Sequence, residues 1–215
     1  MHEVECKARI TQGVLAELYR KTGKLKVPVN VSNRHIHLDS SALISLFGPD
    51  HPLTRKKDLI QLGQFACEET VTLKGPKGSI KGVRVLGPLR GATQVEISKT
   101  DSFVLGVKPV IRMSGNVAGT PGITIEGPKG SIELPCGVIV AERHLHVPTS
   151  LSETLDLKNG ETVSLVTRGE RPTVLMQVAV RVSDMALLEA HVDVDEANAA
   201  GIVNGMFCDV IKERV

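Results

Sequence analysis

The chain has 215 residues with 26 Lys and Arg against 24 Asp and Glu, and this net charge of +2 leaves no basic footprint for a nucleic-acid backbone. Four Phe, one Tyr and no Trp give no stacking platform for single-stranded bases. At 41% hydrophobic it can bury a core, yet no apolar run approaches the roughly 20 residues of a membrane span, so neither nucleic acid nor a membrane is an expected partner.

The first predicted element is a short amphipathic helix. Over residues 4–21, Val4, Ile10, Val14, Leu15, Leu18 and Tyr19 recur near helical spacing, with Lys7, Arg9, Glu17 and Arg20 between them, and Thr22-Gly23 ends the run. The stretch lacks the basic start and apolar block of a secretory signal. It reads either as a helix packed on the body of the protein or as a recognition helix for a partner. Cys6, Cys67, Cys136 and Cys208 are scattered without a Cys-x-x-Cys pair. They read as small buried hydrophobes in a reducing compartment, not as a disulfide framework or zinc knuckle.

Beyond the helix the chain turns β-rich. Val27-Pro28-Val29-Asn30-Val31 alternates as a strand does, and strands predicted over 69–74 and 79–86 flank the hairpin turn Gly75-Pro76-Lys77-Gly78. Gly-Pro-Lys-Gly-Ser-Ile returns at 127–132 between two more strand-like runs. Neither copy is a phosphate-binding P-loop, because the Gly-Lys-Ser/Thr ending and the following helix are missing.

A stronger echo pairs Arg34-His35-Ile36-His37-Leu38 with Arg143-His144-Leu145-His146-Val147. Asp39-Ser40-Ser41 and Pro148-Thr149-Ser150 follow as helix starts, and then come the strands 69–73 and 161–165. Further on, Val95-Glu96-Ile97 lies over Ala190-His191-Val192, and 101–106 lies over 196–201, each a short capped helix closed by glycine. The expected fold is therefore mainly β with short helices (α+β), built as two similar β-barrel subdomains from an internal duplication. Its expected parts are an N-terminal helix 1–23, a first barrel repeat 24–113 and a second 114–215, with 115–122 as a flexible link.

On a strand, residues i and i+2 share a face, so His-x-His delivers two imidazoles to one metal ion. One such pair is weak evidence; here it occurs twice within a repeat and takes up His35, His37, His144 and His146 of the seven histidines. The repeat then places Glu96 and His191 in one slot as third ligands. The expected sites are His35, His37, Glu96 and His144, His146, His191. Three protein ligands with an open fourth position is the pattern of catalytic zinc, though nickel, copper and iron share the ligand types. His2 and His51 fall outside the repeat and read as surface residues. Arg34 and Arg143, next to each pair, face away from it on a strand and read as structural. Arg90, in a tight turn before Glu96, suits a bidentate clamp on phosphate or carboxylate, or else a surface ion pair. Ser114, at the edge of the link, is placed to face a ligand. No nucleophile elbow, His-Glu-x-x-His motif or aspartate-rich cage is present, which favours a metal acting as Lewis acid over a serine triad.

Taken together, Val-Ser-Asn-Arg-His-Ile-His-Leu (31–38), Gly-Pro-Leu-Arg with Thr-Gln-Val-Glu (87–96), Arg-Met-Ser-Gly (112–115) and Ala-Glu-Arg-His-Leu-His-Val (141–147) closely resemble the phosphate propanoyltransferases. These are the phosphotransacylases of bacterial microcompartments. The resemblance runs from about residue 27 to the C-terminus, with no departure at the motif positions. It implies reversible transfer of a short acyl group, propanoyl in the type case and acetyl as an alternative, between coenzyme A and inorganic phosphate at a two-zinc site. It further implies Arg90 and Ser114 as phosphate contacts, with Arg90 the catalytic clamp, and Ser32, Lys57, Arg84, Leu86 and Asn198 as coenzyme A contacts. Relatives often carry an N-terminal helix that directs them into the microcompartment, so residues 4–21 suit a shell or cargo partner. The implied location is the bacterial cytoplasm or the microcompartment within it, and an isologous homodimer is the base-rate association state. With Glu96 neutralising one ion, the all-imidazole site is expected to keep its full positive charge and to meet the coenzyme A thiolate. The rival readings are a zinc-dependent acyl-CoA hydrolase and a non-catalytic metal-binding module.

Overall fold

The computed structural model describes residues 2–212, without the side chains of residues 2–5, Lys7 and Ala8, so the expected roles of His2, Val4 and Lys7 lie outside the described residues. In chain order the elements are α1 (His2–Thr22), β1 (Leu25–Ser32), β2 (His35–His37), α2 (Ser40–Phe47), β3 (Arg55–Asp58), β4 (Phe65–Lys74), β5 (Ser79–Gly87), β6 (Gln94–Glu96), α3 (Lys99–Leu105) and β7 (Val110–Arg112). They continue as β8 (Ile123–Glu126), β9 (Ser131–Leu134), β10 (Val138–Ala141), β11 (His144–Pro148), α4 (Thr149–Leu155), β12 (Thr162–Val166), β13 (Val174–Ser183), β14 (Glu189–Asp193), α5 (Val194–Ala200) and β15 (Met206–Lys212).

The strands form two systems. One is a closed barrel in the order β1-β14-β11-β13-β12-β15. Alternate residues such as Val27, Val29, Leu145, Val147, Val163, Leu165, Val178 and Val180 fill its core, as the strand period of two requires. The other is a nine-stranded sheet in the order β7-β10-β6-β2-β5-β4-β8-β9, with β3 on β4. Ile36, Leu38, Val71, Leu73, Val83, Val85, Val95 and Ile125 make its core.

The compact units are not the linear segments 24–113 and 114–215. One comprises Met1–Ser32, Ile60–Leu62 and Glu142–Val215; the other comprises Asn33–Leu59 and Gly63–Ala141. Strand exchange is the reason. β1 pairs with β14 (Val29↔Ala190) and β15 (Val27↔Cys208), whereas β10 pairs with β6 (Val138↔Val95) and β7. The stretch 115–122 accordingly joins β7 to β8 inside one unit and does not link two.

Helix α1 closes as its sequence predicts, with Gly23 at φ 65° donating its N–H to the Tyr19 carbonyl at 2.8 Å. Leu15 and Ala16 are buried in the barrel unit and Tyr19 packs beside them. Ile10, Val14 and Leu18, four residues apart, stay 63%, 54% and 49% exposed. No helix among the described residues is long and apolar enough to cross a membrane. Of the cysteines, only Cys67 and Cys208 are buried; Cys136 is half-buried and Cys6 exposed, so the reading of all four as core residues is corrected.

Local signals explain most helix ends. Ser98 caps α3 and Asp193 caps α5, each in a reciprocal capping box with Asp101 or Glu196 three residues on, and Gly106 and Gly201 close them in left-handed geometry. Arg34 forks onto Asp101 (2.9 and 2.6 Å) and Arg143 pairs with Glu196 at 2.9 Å, so each arginine beside a His-x-His clamps the capping-box acid of α3 or α5, not of the helix that directly follows it. Helix α4 departs from expectation: it begins at Thr149 after Pro148, with no side-chain cap. His51, expected as a surface residue, meets buried Glu69 at 2.8 Å and stacks on Phe47.

Asp39 caps α2 and also fastens it to the turn before β6. It accepts from the Ala42 N–H (2.9 Å), the Thr93 N–H (3.1 Å) and the Thr93 hydroxyl (2.7 Å). Burial pushes its carboxyl upward, but the hydrogen bonds from Ser41, Ala42 and Thr93 win and hold it down at about 2. A depressed carboxylate stabilises the fold above its unfolded pKa of about 4 and loses that contribution as pH falls toward its folded value. Asp39→Ala is expected to cost about 1–2 kcal/mol at neutral pH. In urea unfolding the gap from wild type should narrow between pH 4 and pH 2.5; a constant gap would contradict the assignment.

Candidate metal centres

Antiparallel pairing of β2 with β6 sets His35 opposite Glu96 and His37 opposite Gln94, so the four side chains occupy one face. The ligand atoms of His35, His37 and Glu96 lie within 4.8 Å of one another, and all three residues are buried. His35 Nδ1 donates to the Asn33 carbonyl at 2.8 Å, which turns Nε2 toward the site, 3.5 Å from Glu96 Oε2. His37 Nδ1 is buried with no hydrogen-bond partner. Burial, followed by the charges of His35 and Arg90, pushes His37 down to about 3 and holds it as the neutral, metal-ligating form. Burial pulls His35 downward, yet the Glu96 charge beside it raises it overall; Glu96, opposed only by burial, falls below the usual carboxylate range. A buried carboxylate thus calls for a positive charge at the point where two imidazoles converge. A divalent cation fits that donor set.

The barrel unit repeats the layout on β11 and β14, with His144 opposite His191 and His146 opposite Glu189. The ligand atoms of His144, His146 and His191 also fall within 4.8 Å. His144 Nδ1 donates to the Glu142 carbonyl at 2.8 Å, and its Nε2 lies 3.1 Å from His146 Nε2. Burial, then His144, His191 and Arg181, drive His146 down to about 2. This site is not purely imidazole in its surroundings: His191 Nε2 meets the buried Glu189 carboxylate at 2.8 Å. The converging groups themselves remain three imidazoles, with the Glu189 carboxylate behind His191.

Arg90 and Ser114 belong to the β2–β6 site. Arg90 follows the turn after β5, where Gly87 passes under Phe65; a Cβ there would come within 2.3 Å of the ring. The Arg90 N–H is fixed to the Leu38 carbonyl at 2.8 Å, and its guanidinium donates to Ser114 Oγ at 3.0 Å. Gln94 completes a chain that sequence reasoning missed. Its Nε2 donates to Ser114 Oγ (2.9 Å) and to Glu96 Oε1 (2.6 Å), while the Gly115 N–H fixes its Oε1 at 2.7 Å. The signal was available: Gln94 and Glu189 are the polar residues two places before each third ligand, on the ligand face.

The residues expected to meet coenzyme A form two groups. Lys57 and Leu86 flank Ala66 across β3-β4-β5, and Arg84 beside His35 donates to the Cys67 and Glu68 carbonyls. Ser32 pairs with Asp193, the cap of the helix α5 that carries Asn198. Arg181, opposite His146, is a cation that the sequence reading passed over.

A profile of the phosphate propanoyltransferase family matches residues 28–203. The phosphate propanoyltransferase of Rhodopseudomonas palustris is 53% identical over 179 residues, covering 83% of this chain and 79% of the relative. That of Salmonella typhimurium is 47% identical over 196 residues, covering 91% and 93%. That of Thermotoga maritima is 47% identical over 201 residues, covering 91% and 96%.

Proposed function

The chain belongs to the phosphate propanoyltransferase family and is an acyltransferase, and on that premise we propose that it moves a short acyl group, propanoyl or acetyl, reversibly between coenzyme A and inorganic phosphate. The observation that supports this reading is the hydrogen-bonded chain Arg90–Ser114–Gln94–Glu96, which joins a guanidinium suited to an anion to a candidate metal ligand.

His35, His37 and Glu96 would hold one zinc ion, and His144, His146 and His191 a second. When bound, zinc supplies a Lewis acid for a carbonyl or phosphate oxygen or for a thiolate. The remaining roles fall to side chains. Arg90 holds phosphate by its planar fork and Ser114 donates a further hydrogen bond, so that one phosphate oxygen is oriented for attack. Gln94, fixed by the Gly115 N–H, keeps Ser114 in place. The oxygen attacks the thioester carbonyl carbon; the C–O bond forms, the C–S bond breaks, and the coenzyme A thiolate leaves and takes up a proton. Ser32, Lys57, Arg84, Leu86 and Asn198 hold coenzyme A. Attack is direct, without an acyl-enzyme. The test is release of free coenzyme A thiol from propanoyl-CoA: it should require added phosphate, and phosphate-independent release would sink the reading.

The exposed stripe Ile10, Val14 and Leu18 on α1 supports a second proposal, that this helix offers an apolar face to a microcompartment shell or cargo partner while Leu15, Ala16 and Tyr19 anchor it. The setting would be the bacterial cytoplasm, with the protein a homodimer. Replacing all three stripe residues with Ser should leave activity unchanged and alter stability by no more than about 0.5 kcal/mol per residue, as for exposed sites generally. Loading into the compartment should be lost; unchanged loading would refute the role.

A further inference from the structure

We propose that Glu189 is a positioning residue for the His144, His146, His191 centre, keeping the proton of His191 on Nε2 so that Nδ1 is the nitrogen offered to the metal. The inference rests on the metal-binding reading above. Glu189 lies opposite His146 and two residues before His191, so it shares the ligand face without being one of the three converging ligands.

Its surroundings fix its chemistry. The side chain is 1% exposed, and both oxygens are engaged. Oε1 accepts from Gln61 Nε2 at 2.6 Å and meets His191 Nε2 at 2.8 Å, while Oε2 accepts from Asn30 Nδ2. The Gln61 amide is held in this sense, because the Leu187 N–H donates to its Oε1 at 3.1 Å and its Nε2 reaches the Leu187 carbonyl at 3.2 Å. A carboxylate ringed by donors presents only acceptor lone pairs, so His191 donates to it from Nε2. A neutral imidazole that donates from Nε2 carries its lone pair on Nδ1. His144 is arranged the other way, since its Nδ1 is spent on the Glu142 carbonyl.

The β2–β6 ladder has the same four places with the carboxylate moved. Glu96 stands where His191 does, and Gln94 stands where Glu189 does. One centre uses its carboxylate as a ligand; the other uses it to hold a ligand's proton. A carboxylate behind a metal-bound histidine fixes the ring and strengthens it as a donor, and its loss weakens metal binding about 10–100-fold.

Zinc-loaded full-length protein with ¹⁵N-labelled histidine provides the test. Long-range ¹H–¹⁵N spectra should show His191 ligated through Nδ1 with its proton on Nε2, and His144 ligated through Nε2. In zinc competition with a chelator, Glu189→Ala should weaken one of two zinc equivalents about 10–100-fold and spare the other. Glu189→Gln, which keeps an acceptor oxygen, should recover much of that loss. Ligation of His191 through Nε2 overturns the inference, as does a folded Glu189→Ala protein with wild-type affinity for both ions. Should Glu189→Ala fail to fold, the wild-type spectrum decides alone. Wild-type protein that takes up no zinc overturns the metal reading itself, and this inference with it.

Discussion

His37→Ala is expected to lower acyl transfer by about 10³-fold or more, and to remove one of two zinc equivalents while leaving the protein folded. The scale follows from the cost of deleting a single stabilising donor from such a site, about 10²–10³-fold; losing a ligand removes the donor and the ion together. His37 is 2% exposed, burial holds the ring neutral, and its ligand nitrogen converges with those of His35 and Glu96. His51→Ala is the control. That imidazole meets a buried carboxylate, Glu69, and stacks on Phe47, but it belongs to neither converging group. It should affect stability and leave zinc content unchanged. Zinc analysis and phosphate-dependent thiol release on both variants check the expectation. Wild-type turnover by His37→Ala with a lost ion would remove the metal from the reaction.

The parts of the fold and site that were legible in the sequence are those encoded locally or by repetition. His35 with His37, and His144 with His146, follow from a strand period of two, and Glu96 and His191 follow once the two copies are aligned. Gly23, Gly106 and Gly201 mark helix ends because the left-handed conformation there favours glycine. What was not legible depends on distant pairing. Nothing within Leu25–Ser32 signals that it joins β14 and β15, and this exchange is what brings Asn30 to Glu189. Gln61 reaches the same carboxylate from a three-residue segment assigned to the barrel unit, a placement no periodicity foretells. Gln94 and Glu189 were visible as polar residues on the ligand face. Their partners were not, and a polar residue acquires a role only through its partners.

Arg90→Ala should separate the transferase from its rivals more sharply than any other substitution. Arg90 is tied to Leu38 through its backbone, so truncating its side chain leaves the turn's own hydrogen bond in place. It is not among the converging ligand groups, so both zinc equivalents should be retained. What disappears is the cation proposed to bind phosphate and to oppose charge as the oxygen attacks. The expected result is a fall of about 10²–10³-fold in phosphate-dependent thiol release, the range for losing one preorganised electrostatic donor. Part of the loss should appear as a higher KM for phosphate and part in kcat, with the KM for propanoyl-CoA close to wild type. Arg90→Lys should recover little, because a point charge does not reproduce a planar fork. Ser114→Ala, which removes one hydroxyl from the same clamp, should fall between wild type and Arg90→Ala. A zinc-dependent hydrolase would release thiol from propanoyl-CoA without phosphate, and Arg90→Ala would leave that rate nearly unchanged. A non-catalytic metal-binding module would turn over no acyl-CoA before or after the substitution. Only a transferase loses, at Arg90, a rate that phosphate had supplied.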